Sequence, residues 1–270
     1  MNHQTKRWIL AALAASATLN LLPSVGSGGR AYAALTGTQM VDLLKMVDDR
    51  QKNNGDWRAQ AYLEQKEKDK VDTVYETEYF RRSSDQKFMI LFTAPKSSAG
   101  QGYLRIDKNL WFYDPSVGKW ERRTERERIG GTNSRRSDFD ESRLSEEYDP
   151  ADEGEEKLGI YTAIKLKLTG KPGQDLAFPI VHIWIDKESK NILKRQEYAL
   201  SGRLLRTSYY TKWKKIWSPS KNGDTWYPEE IRFYDEVEKA NQTLVLIKAV
   251  DPNALPQNLF TKAWLESKSR

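Results

Sequence analysis

Residues 128–144 read RIGGTNSRRSDFDESRL, and they interrupt a chain that otherwise reads as one β-strand after another. The stretch contains the paired glycines Gly130 and Gly131 and a run of charged residues. It lacks the two-residue alternation of polar and apolar positions that is typical of a strand. We therefore interpret it as a connector between two groups of strands.

The connector does not carry a recognisable phosphate-binding motif. The pattern Gly-x-x-x-x-Gly-Lys-Ser/Thr is absent, and a Gly-Gly pair alone is too common to identify a phosphate loop. Arg135 and Arg136 could bind an acidic group, but adjacent arginines in a polar loop usually face water. We predict that both are exposed to solvent.

A helix is predicted before the first group of strands, over residues 38–52. Thr38 is its expected N-cap, and Asn53-Asn54-Gly55 ends it. Apolar residues recur at helical spacing along one face. That face comprises Met40, Val41, Leu44 and Val47.

Roughly ten or more strands are predicted, joined mostly by short connections that favour antiparallel neighbours. A sheet of that size must curl or close, so the sequence predicts a mainly β fold with a strongly curved antiparallel sheet and a little helix against one face. The expected strands are 57–63, 71–79, 87–92, 102–106, 110–113, 119–123, 160–168, 178–185, 192–198, 203–213, 225–235 and 243–250.

Residues 146–157 are strongly acidic and contain Pro150 and Gly154. We predict a solvated loop there. Its carboxylates could hold Ca²⁺, but their spacing does not fit an EF-hand loop.

The first residues have the pattern of an export signal. Lys6 and Arg7 precede an apolar stretch, residues 9–22, which is followed by Ala31-Tyr32-Ala33. We predict a signal peptide over residues 1–33, cleaved after Ala33, and a single domain over residues 34–270; an uncleaved membrane anchor is the alternative. The chain has no cysteine, so it forms no disulfide and accepts no lipid on an N-terminal cysteine.

The chemical inventory gives little support to catalysis. The net charge of +6 falls when the basic signal peptide is removed, which leaves no argument for nucleic-acid binding. His182 is the one histidine after the predicted cleavage site, and its place in a strand beside Trp184 favours a structural role. No nucleophile-elbow motif is present, and nitrogen and sulfur ligands for a metal are too few. We therefore predict no catalytic residue, no metal and no cofactor.

Four segments, taken in order, resemble the outer-membrane lipoprotein-sorting proteins, the LolA-like family. Residues 110–123 resemble the family's tryptophan-bearing hairpin, and Ser137-Asp-Phe139 resembles its helix entry, although Arg136 stands where the family pattern usually has glycine. Residues 192–206 resemble a late hairpin. Trp226-Tyr-Pro228 and residues 259–262 resemble the last strands.

The resemblance implies an unclosed half-barrel whose concave face is covered by helices, with a hydrophobic cavity between them. It implies a periplasmic, non-catalytic carrier that moves acylated lipoproteins or other lipids toward the outer membrane. An inner-membrane transporter, an outer-membrane acceptor and transient membrane contact belong to that role. Residues 128–144 would then be a lid connector, in which Phe139 and Leu144 face the cavity.

Further apolar strand residues are candidates to line such a cavity, although sequence does not separate a cavity wall from a packed core. The candidates are Phe88, Ile90, Phe92, Trp111, Ile164, Leu166, Ile183 and Leu205. Two other functions stay open at this point: an envelope lipid sensor of the same fold, and an extracytoplasmic hydrolase.

Overall fold

The computed structural model describes residues 32–52, 55–124, 126–140 and 142–269. Residues 33–270 form one compact unit. The predicted signal peptide lies outside the described residues, apart from Tyr32 and Ala33, and so does most of the predicted helix stop at Asn53-Asn54. In the described ranges, no helix is long and apolar enough to cross a membrane.

Thirteen strands form a single sheet in the order β6-β5-β4-β3-β2-β1-β13-β12-β11-β10-β9-β8-β7. Each paired neighbour is antiparallel, as the short connections predicted. The strands are β1 (Asp56–Lys66), β2 (Thr73–Arg82), β3 (Lys87–Ala94), β4 (Gly102–Ile106), β5 (Asn109–Asp114), β6 (Lys119–Arg123), β7 (Tyr148–Leu158), β8 (Tyr161–Gly170), β9 (Ile180–Asp186), β10 (Ile192–Tyr198), β11 (Leu204–Ser218), β12 (Gly223–Asp235) and β13 (Gln242–Asp251).

The sheet consists of two meanders, β1–β6 and β7–β13, which join where β1 pairs with β13. Strands β6 and β7 stand at its two edges, so the sheet is not closed into a barrel. The predicted mainly β, antiparallel and unclosed architecture is confirmed. The crossing segment (residues 124–147) runs from edge strand β6 to edge strand β7.

The prediction of an acidic loop at residues 146–157 was wrong, because this stretch forms edge strand β7. An edge strand tolerates Pro150, since one side of its backbone has no ladder to complete. Gly154 has φ +90° beside a register shift, as expected of a bulge. Two of the acidic side chains pair with lysines: Glu153 with Lys165 of β8 at 3.1 Å, and Glu155 with Lys187, which directly follows β9.

The first helix, α1 (Gly37–Lys52), packs on the inner faces of β8 and β9. Thr36, and not the predicted Thr38, is its N-cap. The Gln39 backbone N–H donates to Thr36 Oγ1, and Gln39 Oε1 accepts from the Thr36 N–H at 2.9 Å, which is a capping box. Leu43 is buried on the apolar face, whereas Val41 is half-buried at its margin.

The crossing segment lies on the same side of the sheet as α1. It contains two short 3₁₀ turns, Ile129–Gly131 and Arg136–Asp138, and one helical turn, α2 (Leu144–Glu147). Gly130 has φ +59°, and a Cβ placed there would lie 2.8 Å from the Phe92 ring, so this position requires glycine.

The last helix, α3 (Lys262–Lys268), packs against the opposite, outer face of the sheet. Its Trp264 meets Phe80 edge-on at 5.4 Å, and Leu265 is fully buried with Met89 and Leu104. Strands β2 to β4 are therefore covered on both faces. This explains why residues 88–92 are apolar at every position.

Candidate functional site

A cavity of about 610 Å³ lies between the inner face of the sheet and its cover. Its floor is formed by the central strands β1, β2, β12 and β13, and its cover by the crossing segment and residues 175–178. Two packed clusters flank it: α1 on β8 and β9 at one side, and an aromatic cluster on β2 to β5 at the other. A volume of this size is in the range of small-molecule binding pockets.

Small side chains at the centre of the floor create this space. Trp57, Ala59, Ala61 and Leu63 alternate along β1 and all line the cavity. In register with Ala61 lie Thr77 on β2 and Ile247 on β13, so two of three neighbouring positions have short side chains. A two-residue period predicted that these residues share a face, but it did not predict that the face would border empty space.

The cover is fixed to the sheet by a buried ionic network around Arg206 of β11. Arg206 donates to Asp138 of the crossing segment at 2.6 and 2.7 Å, to the Asn133 carbonyl at 2.9 Å, and to Glu197 of β10. Burial alone lowers the pKa of Arg206, but Asp138 and Glu197 raise it well above its ordinary value. Removing one member of such a buried network costs about 3–5 kcal/mol.

Further bonds attach the cover at both ends. The Asn133 N–H donates to Thr243 Oγ1 of β13 at 2.8 Å, and Arg128 pairs with Asp235 of β12 at 2.9 Å. At the far end, the buried Asp48 carboxylate of α1 accepts from the N–H groups of Leu144 and Ser145 at 2.9 and 2.8 Å. These last bonds satisfy the free N–H groups at the start of α2.

One end of the cavity is cationic. Arg81 of β2 and Arg105 of β4 flank Phe88 in register on the inner face. Arg105 pairs with Asp140 at 3.1 Å, and Arg136 pairs with the same carboxylate at 3.5 Å. Burial raises the pKa of Asp140, although these arginines oppose the shift.

The prediction that Arg135 and Arg136 face solvent was wrong. Arg136 is 3% exposed and donates to the Lys108 carbonyl at 2.9 Å. Arg135 is partly buried, with its guanidinium 5.4 Å from the Phe178 ring centre. The crossing segment lies against the sheet here, so these two arginines are at least partly buried.

The structure places the ten candidate lining residues in four surroundings. Ile90, Phe139 and Leu144 border the cavity. Phe88 and Phe92 are buried in the aromatic cluster, while Ile164, Leu166 and Ile183 are buried under α1, with Leu205 packed against their margin. Trp111 lies on the outer face, where the Lys262 ammonium is 3.7 Å from its ring centre, so this candidate cannot line the cavity.

His182 lies away from the cavity. It projects from the opposite face of β9 to Val181 and Ile183, and its Nδ1 is 2.8 Å from Glu153 of β7. The described residues contain no group of three His, Cys, Asp or Glu side chains that could hold a metal ion.

Comparisons with known proteins agree on the fold. A family model described as "uncharacterized protein" matches residues 84–267, well over half of the chain. The chain belongs to this family, and its fold is LolA-like. No curated protein matches the sequence significantly.

Three solved structures have the same LolA-like fold. A LolA superfamily protein from Nitrosomonas europaea is 21% identical, with a TM-score of 0.68 over 86% of this chain and 100% of that one. A domain from Vibrio parahaemolyticus, assigned to outer membrane lipoprotein sorting, is 16% identical and has a TM-score of 0.73. The match covers 84% of this chain and 97% of that one. A DUF1329 family protein from Desulfovibrio piger is 17% identical and has a TM-score of 0.73. The match covers 85% of this chain and 98% of that one.

Proposed function

We propose that this protein is a non-catalytic carrier that binds the acyl chains of lipoproteins or other lipids in its cavity. The observation that carries the proposal is the position of the cavity. It is bordered by apolar side chains of four central strands and closed by a cover that is held at discrete polar anchor points.

The energetics of an acyl chain suit this arrangement. Each methylene transferred from water to an apolar site contributes about 0.8 kcal/mol, so a long chain provides on the order of 10 kcal/mol. The aromatic side chains at the cavity wall, Trp57, Tyr79, Phe139 and Trp226 among them, offer matching apolar surface. No covalent step is needed for such a role, and His182 lies on the other face of the sheet.

The role places the protein in the periplasm after export and cleavage behind Ala33. A carrier also needs a donor and an acceptor, so an inner-membrane transporter, an outer-membrane acceptor and transient membrane contact complete the proposal. N-terminal sequencing of exported protein should begin at Ala34. A soluble exported chain that retains Met1 would refute the cleavage.

A vesicle assay tests the carrier function directly. Donor vesicles containing a fluorescent diacylated peptide and unlabelled acceptor vesicles are mixed with and without the purified protein. We expect the protein to accelerate transfer in proportion to its concentration, and to hold the peptide in solution when acceptor vesicles are omitted. Transfer at the spontaneous rate, with no soluble complex, would contradict the proposal.

A further inference from the structure

The cationic end of the cavity has more positive than negative charge among the described residues. Arg81, Arg105, Lys108 and Arg136 all border it, and Asp140 is the carboxylate with which Arg105 and Arg136 pair. The second carboxylate nearby, Asp138, is bound bidentately by Arg206. A cavity wall that only enclosed a hydrocarbon chain would not need these cations.

Arg81 is the clearest surplus charge. It is 8% exposed, and the carboxylate that interacts with it electrostatically, Asp140, already pairs with Arg105 and Arg136. Its hydrogen-bond partner is neutral, since Nη1 donates to the Phe139 carbonyl at 2.9 Å. One carboxylate shared among three buried guanidinium groups leaves positive charge in excess, so an anion that approached Arg81 would be attracted.

A second polar residue borders the cavity from the crossing segment. The Ser137 hydroxyl is buried, borders the cavity, and has no hydrogen-bond partner among the described residues. Buried polar groups of this kind are rare in folded proteins and call for an explanation.

Polarity changes in order along the strands that form the floor. The inner-face pairs of β1 and β2 run from Trp57 with Arg81, through Ala59 with Tyr79, to Ala61 with Thr77. Lys108, in the exposed turn between β4 and β5, lies beyond the charged end. A ligand with one anionic end and one apolar end therefore matches the cavity in a single orientation.

We propose that Arg81 and Arg105 bind the oxyanion headgroup of an anionic amphiphile, a carboxylate or a phosphate, whose acyl chain lies over Ala59 and Ala61. This inference rests on the proposed lipid-binding function and narrows the ligand class to anionic lipids. Guanidinium groups suit the task, because they stay charged and present paired donors to planar or tetrahedral oxyanions.

A matched pair of ligands tests the headgroup separately from the chain. A fluorescent polyene fatty acid and its methyl ester have the same chain, and only the acid is ionised at neutral pH. We expect the delipidated protein to bind the acid about tenfold or more tightly than the ester, as charge-assisted hydrogen bonds would give. Equal affinities would overturn the inference but leave the carrier proposal intact, whereas binding of neither ligand would refute both.

Variants that are expected to change the preference for the acid in opposite directions exclude a merely structural role for Arg81. Arg81→Gln should abolish the preference for the acid without changing the affinity for the ester. Arg81→Lys, which keeps the positive charge, should retain most of the preference for the acid. Asp140→Asn should increase the preference, since it removes the competing carboxylate. The control Arg122→Gln removes the same charge from an exposed position on β6 and should change neither affinity.

Two further outcomes decide the assignment. If Arg81→Gln lost affinity for the acid and for the ester in parallel, the headgroup assignment would be overturned. If Arg81→Gln does not fold, the exposed variant Lys108→Gln replaces it. We then expect a reduced preference for the acid, and an unchanged preference would contradict the inference. Displacement of the bound acid by inorganic phosphate would indicate a free-ion site and overturn the headgroup assignment. Retention of the acid in phosphate supports recognition of head and chain together.

Discussion

Filling the cavity from its floor should block lipid binding while the fold survives, and Ala61→Phe is the substitution of choice. Ala61 stands at the centre of β1, borders the cavity and is partly exposed to it, with Thr77 and Ile247 in register on either side. A benzyl side chain there enters the free volume and displaces about three to four methylenes of a bound chain. At about 0.8 kcal/mol each this costs roughly 3 kcal/mol, or about a hundredfold in Kd.

The free energy of unfolding of Ala61→Phe should be unchanged or higher, although the variant binds the ligand more weakly. The new ring contacts the apolar side chains of Leu63 and Ile247, and filling a cavity commonly adds about 0.5–2 kcal/mol. The assay is titration with the fluorescent fatty acid beside urea denaturation of the same preparations. Gln60→Phe is the matched control, because Gln60 is exposed on the other face of the same strand.

If Ala61→Phe bound the probe as tightly as the unaltered protein while its denaturation midpoint rose, the ring would be filling space that no ligand uses. If both Ala61→Phe and Gln60→Phe unfolded, the effect would belong to the strand and not to the cavity.

Three further substitutions test the packing around the site. Leu166→Ala should cost about 2–5 kcal/mol in urea denaturation and leave probe affinity unchanged below the transition, since Leu166 is fully buried under α1 and does not border the cavity; weaker binding without lost stability would contradict this. Asp48→Ala should cost about 2–3 kcal/mol and speed hydrogen exchange at the start of α2, whereas exposed Asp42→Ala should not. Burial raises the pKa of Tyr103 from 10.0 to about 12. The contribution of the neutral hydroxyl to the free energy of unfolding is therefore complete below pH 10, and about 3 kcal/mol of it is lost as pH rises from 10 to 12. Tyr103→Phe should remove that part of the alkaline dependence in urea denaturation; an unchanged dependence would refute it.

Side-chain alternation was sufficient to predict the sheet, because it depends on one local property. A strand with one apolar face has an apolar residue at every second position. On β1 these residues are Trp57, Ala59, Ala61 and Leu63. Strand β7 was missed because its side chains are acidic on both faces. Their partners, Lys165 of β8 and Lys187 just after β9, are distant in sequence, so no local pattern distinguishes this edge strand from a solvated loop.

The candidate site was harder to predict, because its residues come together only through register. Arg81 and Arg105 belong to different strands, and Asp140 pairs with Arg105 from a segment that crosses the whole sheet. Apolar residues were chosen as lining candidates for their size, yet large side chains fill space. The small residues Ala59 and Ala61 leave it open, and a small residue inside an apolar alternation is the signal that could have identified the floor.

Native mass spectrometry tests the central claim most directly. The protein is isolated from the envelope of the cells that produce it, without detergent, and its intact mass is compared with that of a delipidated sample. We expect an added mass that dissociates as an acylated molecule, lost in Ala61→Phe and retained in Gln60→Phe. A bare polypeptide mass in the unaltered protein, together with no uptake of the fluorescent fatty acid after delipidation, would contradict the account.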